Sequence, residues 1–234
     1  MNSRSLLLVF LMLFVSGPML SQKDVYTYKE GDYNGIGKWY MGREIAHVMG
    51  YQGMSWLERD SREAEENTTL LLKNMNIQPD DAIADIGAGS GYHVFKMANR
   101  ATEGTIYAVD IQDEMLEALK RRKKTYGANN VEIIKGGEKT INLPKNALDK
   151  VLIVDVYHEM SHPVEILASI QKALKKDGEL FLIEYRGEDP SVPIKKLHKM
   201  TEAQAVKELE ANGFQLKENM DNLPWQHCMV FVQD

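Results

Sequence analysis

Ala82-Ile83-Ala84-Asp85-Ile86-Gly87-Ala88-Gly89-Ser90-Gly91, with the carboxylate of Asp110 downstream, decides how this chain folds. The first residues read as a short apolar strand, the glycines as a turn, and Tyr92 to Arg100 as the helix that the turn opens. The next strand, Thr105-Ile106-Tyr107-Ala108-Val109, ends on the acid. Glycines let the backbone take positive φ and approach a ligand closely. The helix amino terminus behind them offers unpaired N–H groups to a polar or anionic group. An acid ending the second strand of such a unit is placed to receive the two hydroxyls of a ribose. An adenosine-type cofactor is therefore expected.

Gly87, Gly89 and Gly91 spell G-x-G-x-G. The dinucleotide fingerprint is G-x-G-x-x-G, and its third glycine would fall on Tyr92, whose ring would obstruct close helix–strand packing. The observed spacing, with Asp85 two residues before the first glycine, instead resembles the first motif of the class I S-adenosylmethionine-dependent methyltransferases. Ile106-Tyr107-Ala108-Val109-Asp110 is similar to the second motif of that family, and Leu152-Ile153-Val154-Asp155 to its fourth strand. Leu174-Lys175-Lys176-Asp177-Gly178-Glu179-Leu180 resembles the L-K-P-G-G-x-L turn before its fifth strand. The resemblance implies an S-adenosylmethionine cofactor and methyl transfer to a small-molecule acceptor. Two alternatives stand beside it: an exported, non-catalytic module that binds S-adenosylmethionine or S-adenosylhomocysteine, and, more distantly, a nicotinamide oxidoreductase.

Strands are expected at 82–86, 105–109, 131–135, 148–155 and 179–185, with helices at 91–100, 112–125 and 163–175 between them. Such alternation means a parallel sheet with right-handed crossovers. A helix from Glu202 to Asn212 follows, and two closing strands, Phe214 to Glu218 and Cys228 to Gln233, are joined closely enough to pair antiparallel. The expected architecture is α/β: a Rossmann-like methyltransferase sheet, parallel strands closed by a carboxy-terminal antiparallel hairpin, helices on both faces. It occupies residues 61–234. A helix is read from Ser61 to Met75, capped by Asp60 or Ser61, and a short one over Met41–Gly50.

The chain has 234 residues, 44% hydrophobic and 26% charged, which suits one ordinary globular core. Its net charge of −6 argues against a nucleic-acid partner, which selects for a basic face. The run Lys120-Arg121-Arg122-Lys123-Lys124 reads as a solvated helix end, where cations complement the macrodipole. The single cysteine, Cys228, excludes an intramolecular disulfide. Arg4, the apolar run Leu6 to Val15 and the break at Ser16-Gly17-Pro18 describe a secretory signal over 1–21, with cleavage near Ser21. The run is short for a membrane span, so no stable span is expected after processing. The corresponding locations are periplasmic or extracellular when the signal is cleaved and membrane-anchored when it is kept, with the cytoplasm as the third option. Export sits awkwardly with a cofactor made in the cytosol.

By resemblance, Gly87, Ala88, Gly89 and Gly91 line the methionyl group and Asp85 holds its amino group. Asp110 takes the ribose hydroxyls, Ile111 packs on the adenine, and Glu138 either contacts the adenine or is a solvated loop acid. Asp155 and His158, at the end of the fourth strand, face the transferred methyl as cofactor and catalytic residues. His158 has the intrinsic pKa of a general base, with Asp155 or Glu159 to orient it; a purely structural role for His158 is the alternative. His158-Glu159-Met160-Ser161-His162 also spells H-E-x-x-H, but that zinc motif needs a continuous helix. Here it follows a buried strand, and Pro163 disfavours helical geometry at His162, so no metal is expected. Acceptor recognition is assigned to an aromatic extension or lid over 22–60, with Tyr33, Trp39, Tyr40, Arg43, His47, Trp56 and Arg59. The Pro-containing loop from Glu184 to Met200 is the second candidate.

Overall fold

The computed structural model describes residues 25–234; the expected signal over 1–21 lies outside the described residues. The described residues open with a small antiparallel sheet of β1 (Tyr26–Tyr28), β2 (Gly35–Tyr40) and β3 (Arg43–Ala46). This replaces the helix expected over 41–50. Met41 and Gly42 take φ of 47° and 99°, and Tyr40 pairs with Arg43 across them. Positive φ at both central residues is the two-residue hairpin turn whose twist matches the strands. A 3-10 helix, Tyr51–Glu58, follows. The helix expected from 61 to 75 is broken into α1 (Arg62–Glu66) and α2 (Thr68–Asn74). Asn67 between them is left-handed at φ 49°, and its side chain caps α2 by accepting from the Leu70 N–H.

Next come β4 (Ala82–Ile86), α3 (Val94–Ala98), β5 (Thr105–Asp110), α4 (Asp113–Tyr126) and β6 (Val131–Lys135). The remaining elements are β7 (Leu148–Val154), α5 (Pro163–Ala173), β8 (Leu174–Tyr185), α6 (Glu202–Glu210), β9 (Phe214–Asn219) and β10 (Gln226–Gln233). The seven-stranded sheet runs β6-β5-β4-β7-β8-β10-β9. Strands β4 to β8 pair in parallel, and β10 inserts antiparallel between β8 and β9. Helix α3 is shorter than the sequence suggests because Gly91-Tyr92-His93 still belong to the turn. Among the described residues no helix is long and apolar enough to cross a membrane.

Alternate residues of the central strands feed two cores. Ile83, Ala108, Leu152, Val154, Phe181 and Ile183 pack on one face with Leu71, Val94, Met97 and Leu119. Ala84, Val109, Val151, Ile153, Leu180 and Leu182 pack on the other with Ile166, Ile170, Leu209 and Phe214. Strands apolar on both faces must be covered on both, which is why parallel sheets carry helices on each side. The small sheet is fastened to this body by polar bonds. Arg43 donates to both carboxylate oxygens of Glu208 at 2.7 and 2.8 Å, Tyr26 Oη to Glu165 at 2.5 Å, and Asn212 Nδ2 to the Tyr40 hydroxyl at 2.7 Å.

Candidate active site

From β4 the chain passes to β5 and β6 on one side, then returns to β7 on the other. Ligands of open α/β sheets bind at the carboxyl ends of the strands beside such a reversal. A cavity of about 630 Å³ lies there, lined by Asp85, Gly87 to Ser90, Asp110, Ile111, Asp155, His158 and residues from both candidate recognition segments.

The glycine turn forms one end. Gly87 and Gly89 have φ of 76° and 54°, and a Cβ on Gly89 would come within 2.7 Å of Leu57 Cδ1. The Gly89 N–H donates to Asp110 Oδ2 at 2.8 Å, and the Gln112 N–H to Oδ1 at 2.9 Å. Each oxygen keeps a lone pair for an incoming hydroxyl. Burial raises the Asp110 pKa while these backbone bonds oppose the rise. Asp85 is more exceptional: its Oδ2 is buried without a hydrogen-bond partner. Burial, with Arg62 opposing and Asp110 adding repulsion, pushes its carboxyl up to about 7. A buried carboxylate lacking a partner is a site prepared for a cationic one.

Of the other residues assigned to the cofactor, Ala88 lines the cavity and Ile111, 41% exposed, stands at its edge. Glu138 lines the mouth with its side chain 65% exposed, 3.7 Å from His162 Nδ1. Gly91 stands behind the turn instead of lining it. Its N–H donates to Ala88 O, and a Cβ there would strike Phe95 and Leu119 at 2.6 and 2.7 Å, so this glycine serves helix packing.

The amino-terminal segment covers the cavity through Ile36, Val48, Met49, Trp56, Leu57 and Arg59. The Tyr51 N–H donates to Gln112 Oε1 and Arg122 to Glu58, which hold the cover against α4, and the Ser90 hydroxyl donates to Glu58, which ties the cover to the turn. Only Trp56 and Arg59 of the aromatic and basic set face the cavity. Tyr33 is 96% exposed, and Tyr40 and Arg43 are buried in the docking contacts instead. The Glu184–Met200 loop contributes Tyr185, Pro193, Ile194, Lys195 and His198.

After β7, His158 is buried between carboxylates. Its Nδ1 lies 2.6 Å from Glu184 Oε2, and Glu184 Oε1 accepts from the His158 N–H. Its Nε2 lies 3.1 Å from His198 Nδ1 and 3.7 Å from Glu159 Oε1. Burial would lower the imidazole pKa, but Glu184 and Glu159 outweigh it and raise it to about 10. Burial likewise opposes ionisation of Glu159, yet the two imidazoles and the Met49 N–H bring it down to about 2. His158 is thus oriented by Glu184, where the sequence suggested Asp155 or Glu159. Asp155 accepts from Gln226 Nε2 at 2.6 Å, its other oxygen buried without a partner. It takes φ of 52°, and its pKa is raised by burial and by Glu66 and Glu184. His162 does not join His158; it lies beside Ser161, Tyr26 and Glu138.

Glu184, Glu66 and Gln226 were missed as members of this polar wall. One signal was legible: Glu184 ends the apolar run Leu180-Phe181-Leu182-Ile183, and a carboxylate buried in such a strand needs a partner.

A family model described as a methyltransferase domain matches residues 77–230. The chain belongs to this methyltransferase family. Its cofactor is S-adenosylmethionine, and the turn, Asp110 and the unpartnered Asp85 fit that cationic nucleoside. The methyltransferase is 29% identical to the uncharacterized methyltransferase YdaC of Bacillus subtilis, over 65% of this chain and 83% of that protein. It is 31% identical to a protein-L-isoaspartate O-methyltransferase of Dictyoglomus thermophilum, spanning about half of each chain, 51% and 50%. The fold superposes with a TM-score of 0.74 on a SAM-dependent methyltransferase from Aquifex aeolicus, at 22% identity, covering 79% of this chain and 98% of that one.

Proposed function

We propose that this methyltransferase transfers the methyl group of S-adenosylmethionine to a small molecule held between the His158–Glu159–His198 wall and the amino-terminal cover. One observation carries the reading: the glycine turn with Asp85 and Asp110 and the histidine wall line a single covered cavity. Cavities of a few hundred Å³ or more that are mostly apolar with few polar groups are the usual small-ligand sites.

Asp85 faces the amino group of the cofactor, Asp110 its ribose and Ile111 its adenine, with Glu138 at the rim. Methyl transfer from a sulfonium is an in-line displacement, so positioning and exclusion of water supply most of the catalysis. Asp155, fixed by Gln226, flanks the methyl. With Nδ1 held by Glu184, His158 turns Nε2 toward His198 and Glu159, and from there it positions the acceptor. The net charge of −6 supports a small acceptor over a nucleic acid.

Calorimetric titration with S-adenosylmethionine and S-adenosylhomocysteine, followed by mass spectrometry of a panel of phenols, carboxylates, thiols and amines, tests the reading. A methylated product is expected. Binding of both sulfur ligands without turnover across the panel would favour a non-catalytic module. The basic, apolar and small residues of 1–21 support export, and cell fractionation with sequencing of the mature amino terminus tests that.

A further inference from the structure

The acceptor end of the cavity brings together three atoms of a kind that methyl transfer alone does not require. His158 Nε2, Glu159 Oε1 and His198 Nδ1 are 3.1, 3.2 and 3.7 Å apart. We propose that they form a binding site for a divalent cation of the zinc class, with a further coordination position open to the cavity.

Four observations support this. The first is size. Ligands about 2.0–2.1 Å from a tetrahedral ion stand about 3.3 Å from one another. The point equidistant from these three atoms lies about 1.9 Å from each, so an ion with bonds of zinc length sits just off their plane. The second is composition. Two imidazoles and one carboxylate are a borderline-soft set that suits zinc and neighbouring transition metals better than magnesium or calcium.

The third is support behind the ligands. His158 presents Nε2 because Nδ1 is held by the fully buried Glu184, the carboxylate–histidine arrangement that orients metal-bound imidazoles. Glu159 presents Oε1 because Oε2 accepts from the Met49 N–H at 3.1 Å. The fourth is access. All three residues line the cavity, so the open position faces the space proposed for the acceptor. The Arg43 guanidinium, which donates to the His158 carbonyl, is itself paired with both oxygens of Glu208.

The two leading residues of the H-E-x-x-H string are therefore used, but from a 3-10 turn, Tyr157–Glu159, with a histidine 40 residues away in place of His162. An ion here would act as a Lewis acid for an oxygen or sulfur of the acceptor. That role rests on the proposed methyl transfer; the binding of metal does not.

The test uses the full chain, stripped with a chelator and titrated with Co²⁺ and then Zn²⁺, and separately with Zn²⁺ against Mg²⁺, without cofactor or acceptor. One equivalent of Co²⁺ should bind with visible d–d bands and be displaced by Zn²⁺. His198→Ala and Glu159→Gln should each weaken binding at least tenfold, and Glu184→Gln about 10–100-fold through loss of ligand orientation. His198 lies in a partly exposed loop, so His198→Ala decides the matter alone should a variant of the buried residues fail to fold, as judged by its melting curve. Co²⁺ that gives no bands, binding unchanged in His198→Ala, or preference for Mg²⁺ over Zn²⁺ would each overturn the site and leave a hydrogen-bonded network. None of these readouts depends on methyl transfer, so their failure is distinct from failure of that reading.

Discussion

The Gly89 N–H donates to Asp110 Oδ2 over 2.8 Å, joining the middle of the glycine turn to the acid that ends β5. The bond holds the turn open toward the cavity and aims the carboxylate into it. Asp110→Ala is expected to lower affinity for S-adenosylhomocysteine by about 10–100-fold, the range of one or two hydrogen bonds to a charged group, with the fold intact. Calorimetry beside a thermal melt checks this; unchanged affinity would remove the ribose role.

Asp85 yields a pH prediction. Its carboxyl stands at about 7 in the folded chain, against an unfolded value near ~3.9. The sign is unfavourable to folding: the cost of burying the ion is absent below the unfolded pKa, grows as pH rises, and is complete above about 7. Asp85→Asn should therefore stabilise the ligand-free protein at pH 8 and not at pH 3. Affinity for S-adenosylmethionine should fall by up to about tenfold per pH unit below 7, since one proton must leave Asp85 first. The Asn variant should bind weakly and lose that slope. A parallel slope in wild type and variant would assign the pH dependence elsewhere.

Gly89 carries both a left-handed φ and a contact with the cover. Gly89→Ala is expected to cost ~1–3 kcal/mol in backbone strain and to add a clash with Leu57. Leu57→Ala in the same chain should recover the steric part only, so the two substitutions should be non-additive in urea denaturation. Full additivity would show that the cover does not rest on the turn.

Arg43 and Glu208 tie the amino-terminal sheet to α6 through a bidentate pair in which Glu208 is completely buried. Removing one partner leaves an uncompensated buried charge, for which ~3–5 kcal/mol is typical. Arg43→Ala and Glu208→Ala should each approach that loss in chemical denaturation, and replacing both with apolar residues of similar volume should cost much less. A loss below ~1 kcal/mol in either single variant would show that the sheet docks without this pair.

The sequence by itself determined the sheet, its order of elements and the glycine turn with Asp110 beside it. Those features rest on short-range patterns: strands apolar on both faces, helices between them, and a glycine turn whose residues lie within a few positions of one another. Asp110 was legible because it ends the strand paired directly beside the one that feeds the turn.

Tertiary structure alone decided the rest. Arg43-Glu44-Ile45-Ala46 reads as part of a short helix in isolation, and becomes β3 because its buried face docks against a body whose Glu208 lies 165 residues away. Asn67 breaks a helix that its neighbours would continue, since its side chain caps the next one. His158 is bound by Glu184 and His198, 26 and 40 residues downstream, rather than by its neighbour Asp155. A side chain's hydrogen-bond partner depends on where the chain returns in space, and neither periodicity nor spacing encodes that return.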